Sequence, residues 1–277
     1  MNHIARRLYA PLLLALACAL PSAAAQQQSA AVPLSWVQVG SPDFPSLLAV
    51  PDHCLIRACA LVVVSHPRGQ TPERLRSSPQ FTQLRDALVG GRFAVLLSSD
   101  GGPLSWGSPQ GLKHVAEAHR QAGELFYWNG RTYALGLSMG GLMALRSALP
   151  GSPYAVSGVA LIDGWVNLSA AWQSDPSRQG EIRQAYGDVT SLAAAQKHDP
   201  LPLALKSAPL AVLAVSSPDD KLVPASKNAD LLVWHPPLPS SGQVKLTGPH
   251  LGGNRFGRPV GAALRQFFER LERQAGP

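Results

Sequence analysis

The sequence predicts an α/β protein with a mostly parallel central sheet flanked by helices. Short apolar runs, each about as long as a buried parallel strand, recur along the chain, and amphipathic stretches long enough for crossover helices lie between them. Hydrophobic residues make up 45% of the 277 residues and charged residues 15%, a composition that excludes disordered, collagen-like and coiled-coil classes.

The predicted elements follow one another in a regular order. Two strand-like segments near the start, 34–39 and 47–50, predict antiparallel edge strands. Apolar runs predict central strands at 61–64, 93–97, 133–135, 159–162 and 210–215, and a last strand at 244–246. Amphipathic patterns predict helices at 81–89, 111–126, 142–149 and 225–232, and a closing helix at 260–271.

One segment, residues 163–207, interrupts this alternation. It contains the aromatic residues Trp165, Trp172 and Tyr186 and helical pieces, but no strand-like run. We therefore expect a single domain over residues 26–277, in which 163–207 forms a short lid-like insertion over the end of the sheet.

The first 25 residues have the pattern of a signal peptide. Arg6 and Arg7 precede an apolar run at 8–20, and the small residues that a signal peptidase needs follow at 21–25. The run is shorter than the roughly 20 residues that span a bilayer, so no membrane anchor is predicted. Cys18 lies inside the run, which argues against lipidation there. We expect a secreted or periplasmic protein.

Cys54 and Cys59 are the cysteines outside this leader. Two thiols in an oxidising compartment usually pair, and the alternative is two separate thiols without a role. An extended strand would hold them roughly 17 Å apart, beyond the limit for bridging. A disulfide between them therefore predicts a turn at 55–58.

The charge of the chain gives little support for a nucleic-acid partner. The formal net charge is +7, and without Arg6 and Arg7 the balance is 22 basic against 17 acidic residues, or +5. The basic residues are scattered singly, whereas a surface that follows phosphates needs them clustered. We expect no nucleic-acid partner.

A candidate nucleophile follows the predicted strand at 133–135. Residues 136–140 have the pattern Gly-x-Ser-x-Gly, with Ser138 at the centre and a predicted helix behind it. The glycines permit the crowded backbone that exposes a serine hydroxyl at a helix N-terminus. The alternative is a structural glycine turn, but such a turn has no need of a central serine.

A serine hydroxyl needs a base, and neutral histidine suits that role near pH 7. His250 fits because it follows the last predicted strand in a glycine-rich loop. His114 and His119 are five residues apart on a predicted helix, which does not place them on one face, so we expect both to be solvated.

The imidazole needs an acceptor on its other nitrogen, usually a carboxylate. Asp219 and Asp220 lie in the turn after the predicted strand at 210–215, and one of them is expected to supply it. Serine, aspartate and histidine then follow one another in an order that differs from those of the chymotrypsin and subtilisin scaffolds.

The chain resembles the α/β-hydrolase superfamily over nearly all of its length after the leader. The resemblance rests on residues 136–141, on the turn at 220–224 and on His250. It implies an α/β-hydrolase fold, with a mostly parallel sheet flanked by helices, and a triad of Ser138, Asp220 and His250.

The family pattern also bears on which carboxylate completes the triad. In the family, the acid is followed by two residues and a valine, which favours Asp220 over Asp219. Asp163 is the alternative acid, because some lipases of the family carry theirs after the preceding strand.

The resemblance further implies an oxyanion hole. It joins the backbone N–H after the nucleophile, here Met139, to one in the loop after an earlier strand. Residues 64–69 are similar to the family's His-Gly-x loop, but Pro67 replaces the customary glycine and has no N–H. The second donor is then Arg68 or Gly69, and we favour Arg68.

The implied reaction is hydrolysis of an ester through an acyl-enzyme, without a metal or cofactor. The substrate is expected to be a small-molecule or polymeric ester, selected by the insertion at 163–207. Leu137, Trp106, Trp165 and Trp172 are the candidate substrate-binding residues, although an aromatic residue there is more often packing.

Three functions remain open. The first is a secreted carboxylesterase or lipase, favoured because esters are the commonest substrates of the family. The second is a cutinase-like polyester depolymerase or a serine peptidase that uses the same triad. The third, a binding protein on an inactive scaffold, is the least favoured because all three triad residues are present.

Overall fold

The computed structural model describes residues 34–234 and 238–276. The predicted signal peptide at 1–25 and Cys18 lie outside the described residues. Within those two stretches, no helix combines the length and the apolar character that crossing a membrane requires.

Eight strands form one mixed sheet in the described part of the chain. They are β1 (Leu34–Ser41), β2 (Phe44–Pro51), β3 (Cys59–Ser65), β4 (Phe93–Ser98), β5 (Trp128–Leu137), β6 (Val159–Ile162), β7 (Val212–Ser216) and β8 (Gly242–Lys245). Their order across the sheet is β1-β2-β4-β3-β5-β6-β7-β8. β2 pairs antiparallel with β1 and β4, whereas all other pairs are parallel. The predicted class and the antiparallel edge strands are confirmed.

The helices lie between the strands, as the alternation predicts. They are α1 (Pro72–Ser77), α2 (Pro79–Gly90), α3 (Pro109–Gly123), α4 (Gly140–Ser147), α5 (Leu168–Ser174), α6 (Pro176–Tyr186), α7 (Leu192–Lys197), α8 (Pro200–Lys206), α9 (Ala229–Trp234) and α10 (Arg258–Ala275). Ser78 and Ser108 cap α2 and α3, and a proline occupies the first turn of each. The sequence did not predict α1, because its six residues are too few to show a period.

Alternate residues of each central strand face opposite layers of the core. In β3, Val62 and Val64 join the cluster formed with α2 and α10, whereas Leu61 and Val63 join the one formed with α3. Both faces of the sheet are therefore covered, which explains why its strands read as continuous apolar runs.

The strand ends differ from the prediction where hydrophobicity gives no signal. β6 occupies the predicted residues 159–162, but β5 begins at Trp128, five residues before the predicted 133. The first four of these residues, 128–131, are half-buried or exposed and include Gly130 at a φ of +81°, and the fifth, Thr132, is a buried polar residue. A search for apolar runs therefore misses them.

The segment at 163–207 contains the four helices α5 to α8 and no strand, as predicted. Trp172 and Ile182 from these helices share a hydrophobic cluster with Met139, Leu142 and Trp106. The segment thus packs over the end of the sheet where β5 meets α4.

Cys54 and Cys59 form a disulfide across the predicted turn, with their Cα atoms 5.5 Å apart. A short 3-10 helix, Asp52–Leu55, starts the reversal between β2 and β3. Both cysteines are buried in the cluster on the α3 side of the sheet.

The expectation that His119 is solvated is wrong. Its ring is buried, stacks on Tyr154 with a centroid distance of 4.3 Å, and contacts the Thr132 hydroxyl at 2.8 Å. Burial lowers the pKa of His119 to about 4, so the ring is neutral near pH 7. His119 lies on the core-facing side of α3. The spacing of His114 and His119 shows that they do not share a face of the helix, but it does not show which face points into the core.

Candidate active site

Ser138 lies at the sharp turn between β5 and α4, which we call the elbow (residues 136–140). Its φ is +50°, a value that residues with a side chain rarely adopt. The Ser138 amide donates to the Ile162 carbonyl at 3.0 Å, and its own carbonyl accepts from the Trp165 amide at 2.8 Å. Groups at the end of β6 and just beyond it therefore hold the serine in this conformation.

Two glycines make the elbow possible. A Cβ atom on Gly136 would lie 2.5 Å from the Gly141 Cα, and one on Gly140 would lie 2.2 Å from the Ser65 carbonyl oxygen. Neither position can carry a side chain without a backbone shift. The second contact also shows that the β3–α1 loop (residues 66–71) begins directly against the elbow.

Ser138, His250 and Asp220 form a continuous hydrogen-bonded chain. The Ser138 Oγ is 2.8 Å from Nε2 of His250, and Nδ1 of His250 is 2.7 Å from Oδ2 of Asp220. The Asp220 side chain is almost fully buried, whereas that of His250 is 15% exposed. The sequence analysis expected these three residues to form a triad. In the structure, each lies within hydrogen-bonding distance of the next.

The other oxygen of Asp220 is also occupied. Oδ1 accepts from the amides of Leu222 and Val223, at 2.9 Å each. Burial raises the pKa of Asp220, but the hydrogen bonds from His250 and from these two amides outweigh it, so that pKa lies below the usual range. The carboxylate is therefore ionised and fixed in the orientation that receives the imidazole N–H.

Asp163, the alternative acid, has a different set of partners. Its Oδ2 accepts from the Leu251 amide at 2.8 Å and pairs with Nε of Arg255 at 3.0 Å. Both charged side chains are fully buried. Burial raises the pKa of Asp163 despite these contacts. The carboxylate thus supports the backbone beside His250, whereas Asp220 is the one bonded to the imidazole.

Arg255 anchors the loop that carries His250, which we call the histidine loop (residues 246–252). Its guanidinium donates to the carbonyls of Thr247 at 2.8 Å and Gly248 at 3.1 Å. Sequence reasoning missed Arg255, because an isolated arginine before a helix carries no motif. Its pairing with Asp163 spans 92 residues of sequence.

Asp219 is exposed, and it also holds the histidine loop. Its Oδ2 accepts from the Gly248 amide at 2.9 Å. The neighbouring Ser217 hydroxyl donates to the Gly248 carbonyl at 2.8 Å. The turn after β7 therefore both supplies Asp220 and fixes the loop opposite it.

The two predicted oxyanion donors remain available for a ligand. Gly69 is excluded as the second donor because its amide donates to the Pro103 carbonyl at 2.8 Å. Among the described residues, the amides of Met139 and Arg68 have no protein acceptor. Arg68 is thus left as the donor of the β3–α1 loop, and its role stays a prediction.

A buried polar cluster supports the start of the β3–α1 loop. Asp100 accepts from the Ser65 hydroxyl at 3.0 Å and from the His66 amide at 3.2 Å. Burial raises the pKa of Asp100. The His66 ring lies between two carbonyl oxygens, those of Pro67 at 2.8 Å and Ser99 at 3.1 Å. Asp100, at the start of the loop at residues 100–108, therefore has a structural role.

A helix of the 163–207 segment holds the outer side of the same loop. Glu181 of α6 binds the Arg68 guanidinium through both carboxylate oxygens, and its Oε2 also accepts from Nε1 of Trp106 at 2.9 Å. The hydrogen bonds from Arg68 lower the pKa of Glu181. Sequence reasoning did not identify Glu181, since no motif marks it.

The predicted substrate-binding residues lie in different places. Leu137 is buried in the core cluster with α2 and α10, and Trp106 is buried with its indole N–H on Glu181. Trp172 packs inside the cluster of the 163–207 segment. Trp165 is also largely buried, but it lines a surface groove.

Two groups of possible metal ligands occur among the described residues, and both are otherwise engaged. Cys54 and Cys59, near His53, are joined in a disulfide and offer no thiolate. In the second group, Asp163 is paired with Arg255, and Asp220 is bonded to His250. Neither group has the free donor set of a metal site.

Neither a protein-family model nor a curated protein sequence matches the chain. Solved structures do. An S-formylglutathione hydrolase from Agrobacterium tumefaciens is 14% identical, with a TM-score of 0.66 over 87% of this chain and 96% of its own. A truncated carbohydrate esterase from gut microbiota is 13% identical, with a TM-score of 0.67 over 87% and 97%.

An acylaminoacyl peptidase from Pyrococcus horikoshii is 12% identical, with a TM-score of 0.59 over 88% of this chain but only 41% of its own. The sheet order and the helices on both faces agree with these similarities. Together they show that this chain has the α/β-hydrolase fold.

Proposed function

We propose that this protein is a serine hydrolase that cleaves carboxylic esters through an acyl-enzyme on Ser138. The observation that carries the proposal is the hydrogen-bonded chain from the Ser138 hydroxyl through His250 to the buried Asp220. A serine at a strained elbow, beside a histidine with an oriented tautomer, is the arrangement that nucleophilic acyl transfer requires.

In the first half of the reaction, Nε2 of His250 accepts the Ser138 proton while Oγ attacks the ester carbonyl carbon. Asp220 holds the proton on Nδ1, so that Nε2 presents its lone pair to the serine, and it stabilises the imidazolium that forms. The imidazolium then donates its Nε2 proton to the departing alkoxide oxygen. The products of this half are the free alcohol and the acyl-enzyme.

In the second half, a water molecule replaces the alcohol. His250 accepts a proton from the water, whose oxygen attacks the acyl carbon. When the tetrahedral intermediate collapses, the C–Oγ bond breaks and the proton returns to Ser138. The carboxylic acid leaves, and the hydrogen-bonded chain is restored.

The amides of Met139 and Arg68 stabilise the negative charge on the carbonyl oxygen in both halves. In support of this role, neither amide has a protein acceptor among the described residues. One preorganised donor of this kind is worth about 3 kcal/mol of transition-state stabilisation.

Esters are favoured over peptides as substrates by the extent of the structural similarity. The chain spans 96% and 97% of the hydrolase and esterase chains described above, but 41% of the peptidase. A peptidase activity that uses the same catalytic residues is therefore the second candidate function. Hydrolysis of aminoacyl 4-nitroanilides at a rate above that of 4-nitrophenyl esters would favour it.

We also propose that the protein is exported. The leader pattern at 1–25 supports this, and the Cys54–Cys59 disulfide is compatible with an oxidising compartment. Expression of the full chain in a bacterial host, followed by N-terminal sequencing of the periplasmic fraction, is expected to give a mature start near residue 26. A full-length protein retained in the cytoplasm would contradict it.

Hydrolysis of short- and medium-chain 4-nitrophenyl esters tests the proposed function. The wild-type protein is expected to turn them over, whereas Ser138→Ala is expected to stay near the uncatalysed rate with an unchanged circular dichroism spectrum. A neighbouring buried serine, Ser147, supplies the matched control, because Ser147→Ala leaves the elbow intact. Equal rates for wild type and Ser138→Ala would contradict the proposal.

A further inference from the structure

A groove of about 600 Å³ has walls that include residues directly bonded to the proposed triad. It lies between α5, the start of α6 and the turn after β7, and its volume is within the range of small-molecule sites. Two of its wall residues are bonded to the proposed triad. The Trp165 amide donates to the Ser138 carbonyl, and the Leu222 amide donates to Asp220.

Arg178 is the most unusual residue of this groove. It is 8% exposed, and its guanidinium lies over the Trp165 ring at 5.4 Å from the ring centre. Its polar partner is the Ser174 hydroxyl. No carboxylate of the described residues forms a direct ion pair with Arg178, although a buried charge is normally paired. Asp175 and Glu181 interact with its charge only at longer range.

Two further cations line the groove. Lys221 and Lys227 are exposed, and neither forms an ion pair with a carboxylate of the described residues. Asp175 is the one acidic residue in the lining, and it is engaged as the cap of α6, where it accepts from the Ser177 amide at 2.7 Å. The lining therefore carries three positive charges and one negative charge.

The groove lining also contains apolar side chains. Leu222, which is 44% exposed, contributes to it together with Leu231 and Ala170. A short methylene chain would pack there, and a carboxylate at its end would reach Arg178. A planar guanidinium binds a carboxylate through two parallel hydrogen bonds, which a neutral group cannot reproduce.

We propose that this groove binds the charged end of an anionic substrate, namely an ester that carries a second, ionised carboxylate at a distance from the scissile bond. The inference rests on the proposed esterase function and names its substrate class. Arg178 is the specificity-determining residue, and Lys221 and Lys227 attract the anion. The alternative, a solvated basic surface, gives no reason for a guanidinium that is only 8% exposed and whose direct polar partner is a hydroxyl group.

A matched pair of substrates tests the proposal. Monoethyl adipate and ethyl hexanoate have acyl chains of the same length, but only the first carries a terminal carboxylate. With hydrolysis followed in a pH-stat, the wild-type protein is expected to show a kcat/KM about tenfold higher for monoethyl adipate, mainly through KM. The preference is expected to shrink between about 0.05 and 0.5 M salt, because exposed charges are screened.

Variants assign the preference to the groove. Lys221→Gln/Lys227→Gln is expected to lower the ratio of the two kcat/KM values about threefold, and Arg178→Met is expected to abolish it. Arg178→Lys keeps the charge and is expected to retain part of the ratio, which guards against a folding defect in Arg178→Met. Lys206→Gln, which removes an exposed charge from a separate groove on α8, is the control and leaves both rates unchanged.

Equal kcat/KM values for the two esters, or a ratio that these variants do not change, would overturn the anionic subsite while leaving the esterase function intact. Absence of turnover with both esters would instead contradict the proposed function. In that case, calorimetry of Ser138→Ala with each ester still tests the anionic subsite. Tighter binding of monoethyl adipate than of ethyl hexanoate supports the subsite, and equal binding overturns it.

Discussion

The two sides of the Ser138 elbow are held by different kinds of interaction. On the base side, the histidine loop is fixed by buried charges that belong to the sheet and to the residues before α10: Asp163 at the end of β6 and Arg255. On the other side, that of the proposed oxyanion donor Arg68, the β3–α1 loop has a buried support in Asp100. Its outer part depends on Glu181, which comes from α6.

This difference shows how the two functions of the site depend on the fold. As the proposed base, His250 must keep a fixed distance from Ser138, and its loop is attached to the sheet by groups that are costly to remove. Arg68 is attached to the segment that covers the site, through a contact in which its own side chain is 45% exposed. We therefore expect changes on the base side to be severe and changes at Glu181 to be graded.

The largest expected effect separates the two aspartates of the base side. Asp220→Asn is expected to lower kcat on the order of 10⁴-fold, because the amide no longer holds the reactive tautomer of His250. Asp163→Asn is expected to reduce kcat far less and to lower the free energy of unfolding instead. Steady-state kinetics and urea unfolding of both variants measure the contrast, and the reverse ranking in kcat would identify Asp163 as the acid.

The next effect tests the anchoring of the histidine loop. Arg255→Met leaves the buried Asp163 carboxylate without its countercharge and is expected to cost roughly 3–5 kcal/mol in the free energy of unfolding. Arg273→Met, on the exposed side of α10, is the control and is expected to change it by less than about 0.5 kcal/mol. A loss for Arg255→Met no larger than that of the control would show that the ion pair does not anchor the loop.

A smaller effect is expected on the oxyanion side. Glu181→Gln is expected to lower kcat by about two- to fivefold with little change in KM, since a partly exposed ion pair contributes about 1 kcal/mol or less. The matched control is Glu117→Gln, which breaks an exposed ion pair with Arg120 on α3. Identical kcat values for the two variants would show that the 163–207 segment does not support the β3–α1 loop.

The smallest effect is a spectroscopic one that follows Glu181 directly. The hydrogen bonds from Arg68 lower the pKa of Glu181 from its ordinary value of 4.5. The ion pair between Glu181 and Arg68 is therefore fully formed above pH 4.5 and is lost only as the pH falls through the lowered pKa. The indole N–H resonance of Trp106, which donates to Glu181, is therefore expected to shift with a midpoint below pH 4.5. A midpoint at or above 4.5, or the same shift in Glu181→Gln, would contradict this.

Sequence reasoning predicted those parts of the molecule that have local signals. The buried strands are continuous apolar runs, and the elbow has a fixed glycine spacing, so both the sheet and Ser138 could be identified. Ser138, Asp220 and His250 each follow the end of a predicted strand, so the strand pattern indicated where to look for them. These three residues meet because the carboxyl ends of parallel strands lie at one edge of the sheet.

The supports of the site could not be predicted in the same way. Arg255, Glu181 and Arg178 each act through a partner or a groove that only the folded chain assembles, and an isolated charged residue in a sequence is usually a solvated one. His119 was placed wrongly for the same reason, because its burial depends on how α3 packs against Tyr154. Leu137 was expected near the substrate, but the alternation of β5 directs it into the core.

The central claim is that His250 and Asp220 activate Ser138 as a nucleophile. The most direct measurement is mass spectrometry of the protein after treatment with a fluorophosphonate, with peptide mapping of the modified site. We expect one equivalent of label on Ser138 in the wild-type protein and strongly slowed labelling in His250→Ala. A wild-type protein that stays unlabelled at Ser138, or labels equally fast without His250, would contradict the claim.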